Sequence, residues 1–174
     1  MPIPKRRTRV KNATKIVING KIFSSKAEGY YYTVLLEKLK AGEIQKIELQ
    51  IPFELQPQYK KCQAHGCDFI WVRPGDEKDP NYKRYYSAKT CPKCNAPLKL
   101  HREMLYVCDF VVTDAYGKKH VIDVKSSVHF QTEVFKLKKK IFEFRYPSML
   151  LEEVYPKIPK GWSGYVDATA EATR

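Results

Sequence analysis

Two apolar segments that carry charged side chains constrain the fold most strongly. The first, MLYVCDFVVTD, places Asp109 within an apolar run, and the second, KKHVIDVKSS, places Asp123 two residues before Lys125. A turn at Tyr116-Gly117 joins them, so we expect two neighbouring strands. Since alternate residues of a strand share a face, Asp123 and Lys125 should project together. Burying such groups without partners is costly, and a divalent cation held by the carboxylates would remove that cost.

The composition limits the class of protein. A chain of 174 residues forms one medium domain, or a core domain with a small insert. Its 43% hydrophobic content is enough for a core and excludes a disordered chain. It has no apolar run of spanning length and no charged-then-apolar leader, so we expect a soluble, cytoplasmic protein without a membrane partner. The net charge of +13 favours a nucleic-acid partner, with a merely soluble basic surface as the alternative.

The N-terminal region predicts an arm, a hairpin and an interrupted strand. Residues 1–15 are basic and either follow phosphates or form a solvated tail. Asn19-Gly20 lies between two short β-rich runs, which predicts a two-residue hairpin. Residues 46–56 are typical of a strand, and Pro52 makes it an edge strand or a bent one.

Two helices are expected in the core. The first starts at Ser24-Ser25, runs to about Lys40 and stops at Gly42. Helical spacing predicts that its core-facing residues are Tyr31, Val34, Leu35 and Leu39. The second covers residues 132–146, and we expect its apolar residues inside or at contacts: Val134, Phe135, Leu137, Ile141, Phe142 and Phe144.

The order of elements predicts a mixed α/β fold in which one sheet is flanked by helices. Residues 16–59 and 101–155 would form the core, and the segment SMLLEEVY its final strand. Residues 60–100 lose regular alternation and read as an insert, whereas residues 156–174 are a tail with little pattern.

The insert contains two close cysteine pairs. Cys62-x4-Cys67 and Cys91-x2-Cys94 are separated by 23 residues, a spacing typical of tetrahedral Zn²⁺. Four protein ligands leave no open position for water, so the zinc should be structural. His65 could replace Cys62 or Cys67 as a ligand. The remaining cysteine, Cys108, is expected to pack in the core, and the odd count argues against a disulfide framework.

Cations near aromatic residues are candidates for DNA contacts. Within the insert we select Lys83, Arg84 and Lys89, because interleaved cations and aromatic rings can grip phosphates and unpaired bases. Trp71 and one tyrosine should instead pack around the metal. On the second helix we select Lys136 and Lys138 for phosphate contacts; a solvated helix face is the alternative for the other lysines.

The acidic residues fit phosphodiester hydrolysis. Asp109 and Asp123, with the backbone carbonyl of Val124, would hold Mg²⁺ or Mn²⁺ through oxygen ligands, and Lys125 would be the catalytic lysine. An ordinary surface ion pair between Asp123 and Lys125 is the alternative. Glu28 is a fourth candidate, although its spacing from Ser25 favours a helix-capping box.

These residues bring out a resemblance to a known superfamily. The passages that carry it are IFSSKAEGYYYTVLLEKLKAGEI, IELQIPFELQP, VCDFVVTD, VIDVKSS and TEVFKLKKKIFEFRYP. Together they resemble the PD-(D/E)xK nuclease superfamily, and more closely a phage family of endonuclease-like proteins related to Holliday junction resolvases. The resemblance implies a restriction-endonuclease-like core in which Glu28, Asp109, Asp123 and Lys125 line one metal site. Cys108 stands where the superfamily has a proline, and the second acid is Asp rather than the longer Glu.

The resemblance also implies an activity. We expect a Mg²⁺-dependent DNA endonuclease that is structure-selective, acts in DNA recombination and works as a homodimer in the cytoplasm of a phage's host cell. A non-catalytic zinc-ribbon DNA-binding accessory protein is the alternative from another class. A nonspecific or sequence-selective duplex nuclease, or one that acts on RNA, is the third possibility.

Overall fold

The computed structural model describes residues 15–127 and 131–164, so nearly all of the expected basic arm and the end of the C-terminal tail lie outside the described residues. Within that part of the chain, three helices and eleven strands form a mixed α/β structure. In chain order the elements are β1 (Ile16–Ile18), β2 (Lys21–Phe23), α1 (Lys26–Lys40), β3 (Ile44–Leu49), β4 (Pro52–Gln56), β5 (Tyr59–Cys62), β6 (Ile70–Val72), α2 (Pro80–Ser87), β7 (Leu98–His101), β8 (Met104–Val107), β9 (Phe110–Asp114), β10 (Lys119–Val124), α3 (Glu133–Arg145) and β11 (Leu151–Val154).

The strands form several sheets, whereas the sequence predicted one. The largest has the order β11-β10-β9-β3, with β11 parallel to β10 and the other pairs antiparallel. β1 pairs with β2, β4 pairs with β8, and β6, β5 and β7 form a three-stranded sheet with β5 at its centre. The last of these belongs to the predicted insert, which therefore has its own sheet as well as α2.

The hairpin and first helix start and end as predicted. Asn19 and Gly20 both have positive φ, at 48° and 71°, as a two-residue hairpin turn requires. α1 begins after the N-cap Ser25, whose Oγ accepts from the Glu28 amide at 3.2 Å. Gly42, with φ of 76°, follows the helix end.

The buried side of α1 differs from the prediction. Tyr32 and Leu35 are buried, whereas Val34 is half-buried and Leu39 is 37% exposed. The helix contacts β1, β2, β3 and β10, and its buried residues lie between Ala27 and Leu35. Leu35 and Tyr31, which packs against the core, therefore lie as predicted, whereas Leu39 does not.

β3 with β4, and β9 with β8, form one long antiparallel ribbon that divides between two sheets. Leu49 pairs with Phe110 at the end of the first half, and Pro52 pairs with Val107 at the start of the second. The predicted strand over residues 46–56 is thus divided just before its proline, and the predicted strand over MLYVCDFVVTD is divided at the same level.

The ribbon is kinked between its halves. The Gln50 amide donates to the carbonyl of Asp109, and the Cys108 amide donates to that of Ile51, both at 3.1 Å. Gln50 has φ of 53°, in the left-handed region that a non-glycine residue rarely adopts. The prediction that Asp109 lies within a strand is therefore wrong: it lies in the bend between β8 and β9, where the ribbon passes from one sheet to the other.

The four-stranded sheet separates two cores. On one side, alternate residues such as Phe110, Ile122 and Val124 pack with α1. On the other side, Val111 and Val121 pack with α3, so Asp123 shares the α3 side by strand alternation. Asp123 is therefore buried against the cluster that contains α3.

Only part of the apolar surface of α3 is buried. Phe135 and Phe142 are buried, and Ile141 packs against the same core. Three residues that the sequence placed inside or at contacts are exposed instead: Val134 at 65%, Leu137 at 59% and Phe144 at 87%. The helix carries more apolar residues than one face can hold, and β4 and β11, which belong to two different sheets, cover only that face. Among the described residues, no helix has the length and apolar character needed to cross a membrane.

Candidate functional site

The four paired cysteines converge at one point. The Sγ atoms of Cys62, Cys67, Cys91 and Cys94 all lie within 4.8 Å of one another. Across residues 15–127 and 131–164, they are the one group of three or more His, Cys, Asp or Glu side chains that gathers its ligand atoms so closely. His65 is exposed and outside this group. Four soft ligands at such distances could hold a metal such as Zn²⁺.

Two tight turns place the thiols. Gly66 and Asn95 both adopt positive φ, at 77° and 61°, which lets the chain reverse beside each pair. The Lys93 amide donates to the Cys91 sulfur at 3.4 Å. Burial raises the pKa of Cys91, but this amide, that of Cys94 and the neighbouring thiols outweigh it and lower the pKa to about 7. At Cys62 the Ala64 amide is outweighed by burial and the other thiols, which raise the pKa, so Cys91 loses its proton more readily than Cys62.

A small aromatic core supports the cysteine cluster. Tyr85 of α2 is fully buried and meets the Trp71 ring edge-on at 5.9 Å, so the expected packing of Trp71 and one tyrosine is present. Lys60 of β5 is also buried, and its ammonium donates to three carbonyls at or just after the end of α2, those of Tyr85, Tyr86 and Ala88. A buried lysine thus satisfies carbonyls that a helix end leaves without partners.

Asp109 lies at the kink of the long ribbon. Its Oδ2 accepts from the Val124 amide at 2.7 Å, which ties the bend to the end of β10. Its Oδ1 is 3.5 Å from the Gln50 side-chain amide, a long contact from the residue with the left-handed backbone. The sequence predicted that the Val124 carbonyl would bind Mg²⁺ together with Asp109. Val124 does lie next to Asp109, but its N–H group makes the contact.

Asp123 and Lys125 project together as expected. Lys125 Nζ lies 2.5 Å from Asp123 Oδ2 and 4.2 Å from the centre of the Phe135 ring. Tyr106 donates to Asp123 Oδ1 at 2.6 Å. The side chain of Asp123 is only 8% exposed and that of Lys125 only 20% exposed, so they do not form an ordinary surface pair. Tyr106 and Lys125 therefore each contact one oxygen of Asp123, and the Lys125 ammonium is the partner of the buried Oδ2.

Glu28 has the capping role that its spacing predicted. Its two oxygens accept from the Ser24 amide at 3.0 Å and from the Ser25 hydroxyl at 3.1 Å. Burial raises the pKa of Glu28, the two serine contacts oppose that effect, and the charges of Asp123 and Lys125 also act on it. Glu28 therefore caps α1 and also lies close enough to Asp123 and Lys125 for their charges to act on its pKa.

The electrostatics show that the acids converge. Burial, then the charges of Asp123 and Glu28, raise the pKa of Asp109 to about 7 against the opposing effects of the Val124 amide and Lys125. Each acid is close enough to perturb another, yet their oxygens are not gathered as closely as the thiols are. Buried carboxylates that lie close enough to perturb one another fit a hard divalent cation, whose preferred ligands are oxygens.

The sequence missed three neighbours of this site. Tyr106 holds Asp123 and Gln50 shapes the kink, while Glu153 of β11 pairs in register with Asp123. Tyr106 offered a signal, because a tyrosine in an apolar strand needs a partner for its hydroxyl. Gln50 and Glu153 offered none, since their roles depend on a backbone kink and on strand pairing.

The predicted DNA-binding cations differ in their surroundings. Lys83, Arg84 and Lys89 are exposed, and the Arg84 guanidinium lies 5.8 Å from the centre of the Trp71 ring. On α3 the ammonium of Lys136 pairs with Glu133 at 2.9 Å, and that of Lys138 donates to the Leu105 carbonyl at 2.8 Å. Both α3 lysines therefore already have partners.

Comparison with known proteins adds one finding. The sequence model of a family described as "Protein of unknown function (DUF1064)" matches residues 8–73 and 79–160. No curated protein and no solved structure matched the chain.

Proposed function

This chain belongs to the DUF1064 family of proteins of unknown function, and we propose that it is a metal-dependent DNA endonuclease with a restriction-endonuclease-like core. The observation that carries the proposal is the buried acidic site at the ribbon kink. There the buried carboxylates of Asp109 and Asp123 lie near each other, Lys125 pairs with Asp123, and the pKa of Asp109 is raised to about 7. Buried titratable groups that perturb one another in this way concentrate at functional sites.

The residues have distinct roles in the proposed site. Glu28, Asp109 and Asp123, with the Val124 carbonyl, would hold Mg²⁺ or Mn²⁺, which would acidify a bound water and offset charge on the phosphate. Lys125 supplies positive charge beside the scissile phosphate, and its contact with the Phe135 ring fixes its position. Tyr106 binds one oxygen of Asp123, and a bound cation would replace the Lys125 ammonium at the other.

The remaining features support a DNA substrate. The net charge of +13 suits a polyanion, and the four cysteines would hold a structural Zn²⁺ in the inserted sheet. By resemblance to junction-resolving enzymes, the substrate would be branched DNA and the active form a homodimer.

The test is cleavage of a four-way junction, a flap, a nicked duplex and a linear duplex, with Mg²⁺ added or omitted while Zn²⁺ is kept. Wild-type protein should cut only with Mg²⁺, and Asp123→Asn or Lys125→Ala should lower the rate by at least about 100-fold. Asp114→Asn is the matched control, because Asp114 lies at the other end of β9 and bonds with the turn and His120. Wild-type rates in Asp123→Asn, or no Mg²⁺-dependent cleavage of any substrate, would overturn the proposal.

The second candidate is a non-catalytic zinc-ribbon DNA-binding protein. It is favoured by the cysteine group, which gathers its ligand atoms more closely than the acids do. This candidate predicts tight DNA binding without cleavage, and binding that depends on Zn²⁺ but not on Asp123. The same experiment therefore separates the two functions.

A further inference from the structure

One face of the inserted three-stranded sheet is open. Register partners in antiparallel strands share a face, so its residues can be assigned to two rows. The first row is Val72, Tyr59 and His101, and the second row is Ile70, Lys61 and Lys99. We call these residues the open face. Ile70 and Val72 are 52% and 49% exposed, and both lysines are exposed.

The opposite face of the sheet is the structural one. Lys60, Trp71 and Leu100 lie on it in register. Leu100 is 49% exposed, whereas the other two contact α2: Lys60 through carbonyls at and after its end, Trp71 through the ring of Tyr85. The support of the cysteine cluster therefore uses the other side of the same strands. The open face makes no contribution to that mini-core.

The first row contains stacked aromatic rings. The rings of Tyr59 and His101 are nearly parallel, with 3° between their planes and 4.6 Å between their centres. Both residues are half-buried, and His101 is on the edge strand β7. Such a pair can be extended by a further flat ring, and every nucleic-acid base offers one.

The second row contains an unfavourable pair of charges. Lys61 and Lys99 are direct cross-strand partners, a placement in which like charges are destabilising. Neither ammonium makes an ion pair or hydrogen bond with a described residue, and no residue of the open face is acidic. By contrast, Lys93 in the same insert is paired with Asp68 at 2.9 Å. An anion bound between the two lysines would relieve the repulsion.

We infer that the open face binds unpaired nucleotides of a DNA strand. A base stacks on the Tyr59–His101 pair, and Lys61 and Lys99 hold the adjoining phosphates. The spacing suits this arrangement, because the two rows are two residues apart along each strand and bring stacking and charge side by side. The inference rests on the proposed function for the choice of DNA over other polyanions. The open face is a different surface from the one that the sequence predicted within the insert, where the DNA contacts were expected at Lys83, Arg84 and Lys89.

The test uses the full-length, zinc-loaded protein without Mg²⁺ and a dodecameric thymidine strand that carries one 2-aminopurine. The double variant Tyr59→Leu/His101→Leu should bind this strand about tenfold or more weakly, and it should abolish the stacking-induced quenching. Affinity for a blunt duplex should stay within about twofold of the wild-type value, since paired bases cannot reach the rings. Tyr116→Leu is the matched control, because Tyr116 is 96% exposed in the distant β9–β10 turn.

The lysines give a second measurement that does not depend on the rings. Lys61→Gln/Lys99→Gln should make the salt dependence of strand binding shallower by about 1.4 in the log–log slope, roughly 0.7 for each phosphate that is no longer neutralised. The control is Lys118→Gln/Lys119→Gln, which changes two lysines of the β9–β10 hairpin. The Lys61→Gln/Lys99→Gln variant should also fold at least as well as wild type, so it keeps the test valid if the ring variant loses zinc.

Two results would overturn the inference. One is wild-type strand binding in both double variants, and the other is an equal loss for strand and duplex, which would indicate general charge rather than stacking. The outcome is separable from that of the nuclease proposal. Strand binding through the open face without any cleavage would contradict only the nuclease, whereas Mg²⁺-dependent cleavage with unaltered strand binding in the variants would contradict only the open face.

Discussion

Replacing Asp109 with asparagine should stabilise the metal-free protein. The pKa of this carboxyl rises from 3.8 to about 7 in the fold, because it is buried near Asp123 and Glu28. An acid whose pKa is higher in the folded state favours folding only at low pH, and that advantage disappears as the pH rises through the folded value. A shift of about three units corresponds to roughly 4 kcal/mol above pH 7.

The expected result is a pH-dependent difference between wild type and Asp109→Asn. The two proteins should be similar below about pH 4, and the variant should become more stable between pH 4 and pH 7, by up to roughly 4 kcal/mol at pH 8. Asparagine keeps an oxygen that can accept from the Val124 amide, so the bend at the ribbon kink is retained. Denaturant unfolding of zinc-loaded protein in Mg²⁺-free buffer gives the free energies.

Adding Mg²⁺ should narrow the difference at pH 8 from roughly 4 to roughly 1 kcal/mol. Wild type should gain about 2.7 kcal/mol at 100 times the dissociation constant, and the variant should gain much less. Asp114→Asn provides a control of opposite sign, because the hydrogen bond from His120 lowers the pKa of Asp114 and its loss should destabilise the fold at pH 7. The reasoning fails if Asp109→Asn is less stable than wild type at pH 8 without Mg²⁺, or if the difference does not change with pH.

Two further predictions concern the inserted sheet. Cys91→Ser should abolish stoichiometric Zn²⁺ binding, measured by metal analysis of the purified protein. Because structural zinc supplies folding free energy directly, the variant should also unfold residues 59–101. Hydrogen exchange should show that the two core clusters stay protected. Lys60→Met should lower the free energy of unfolding in urea by about 2–3 kcal/mol, because it leaves three carbonyls without their donor. The neighbouring variant Lys61→Met should not lower it. Equal stabilities of the two variants would contradict the role of Lys60 at the end of α2.

Local chemistry explains which parts of the structure the sequence predicted. The Asn19-Gly20 turn, the Ser25 cap and the two cysteine knuckles depend on residues within a few positions of one another, and each is present. The pairing of Asp123 with Lys125 is also local, since it follows from strand alternation alone. Such features need no knowledge of what packs against them.

Features that depend on distant partners were missed or misplaced. The apolar run through Asp109 has the pattern of one strand, and its division becomes visible only with the left-handed Gln50 across the ribbon. Likewise, α3 carries apolar residues on several sides. Phe135 and Phe142 are buried, and Val134 and Phe144 are exposed, because the strands that pack against α3 cover only one of those sides. Periodicity states that a helix has an apolar side, but the packing partner decides which one is buried.

Two carboxylates on neighbouring strands have different surroundings. Asp123 and Glu153 are register partners in the parallel β10–β11 pair and therefore lie side by side on one face. Glu153 has three partners for its carboxylate oxygens: Lys139, Gln131 and Tyr155. Burial would raise its pKa, and these contacts lower it. Asp123 is more deeply buried, and Tyr106 and Lys125 contact its two oxygens. Both acids therefore have partners, and what distinguishes Asp123 is its place near Asp109 and Glu28, on whose pKa values its charge acts.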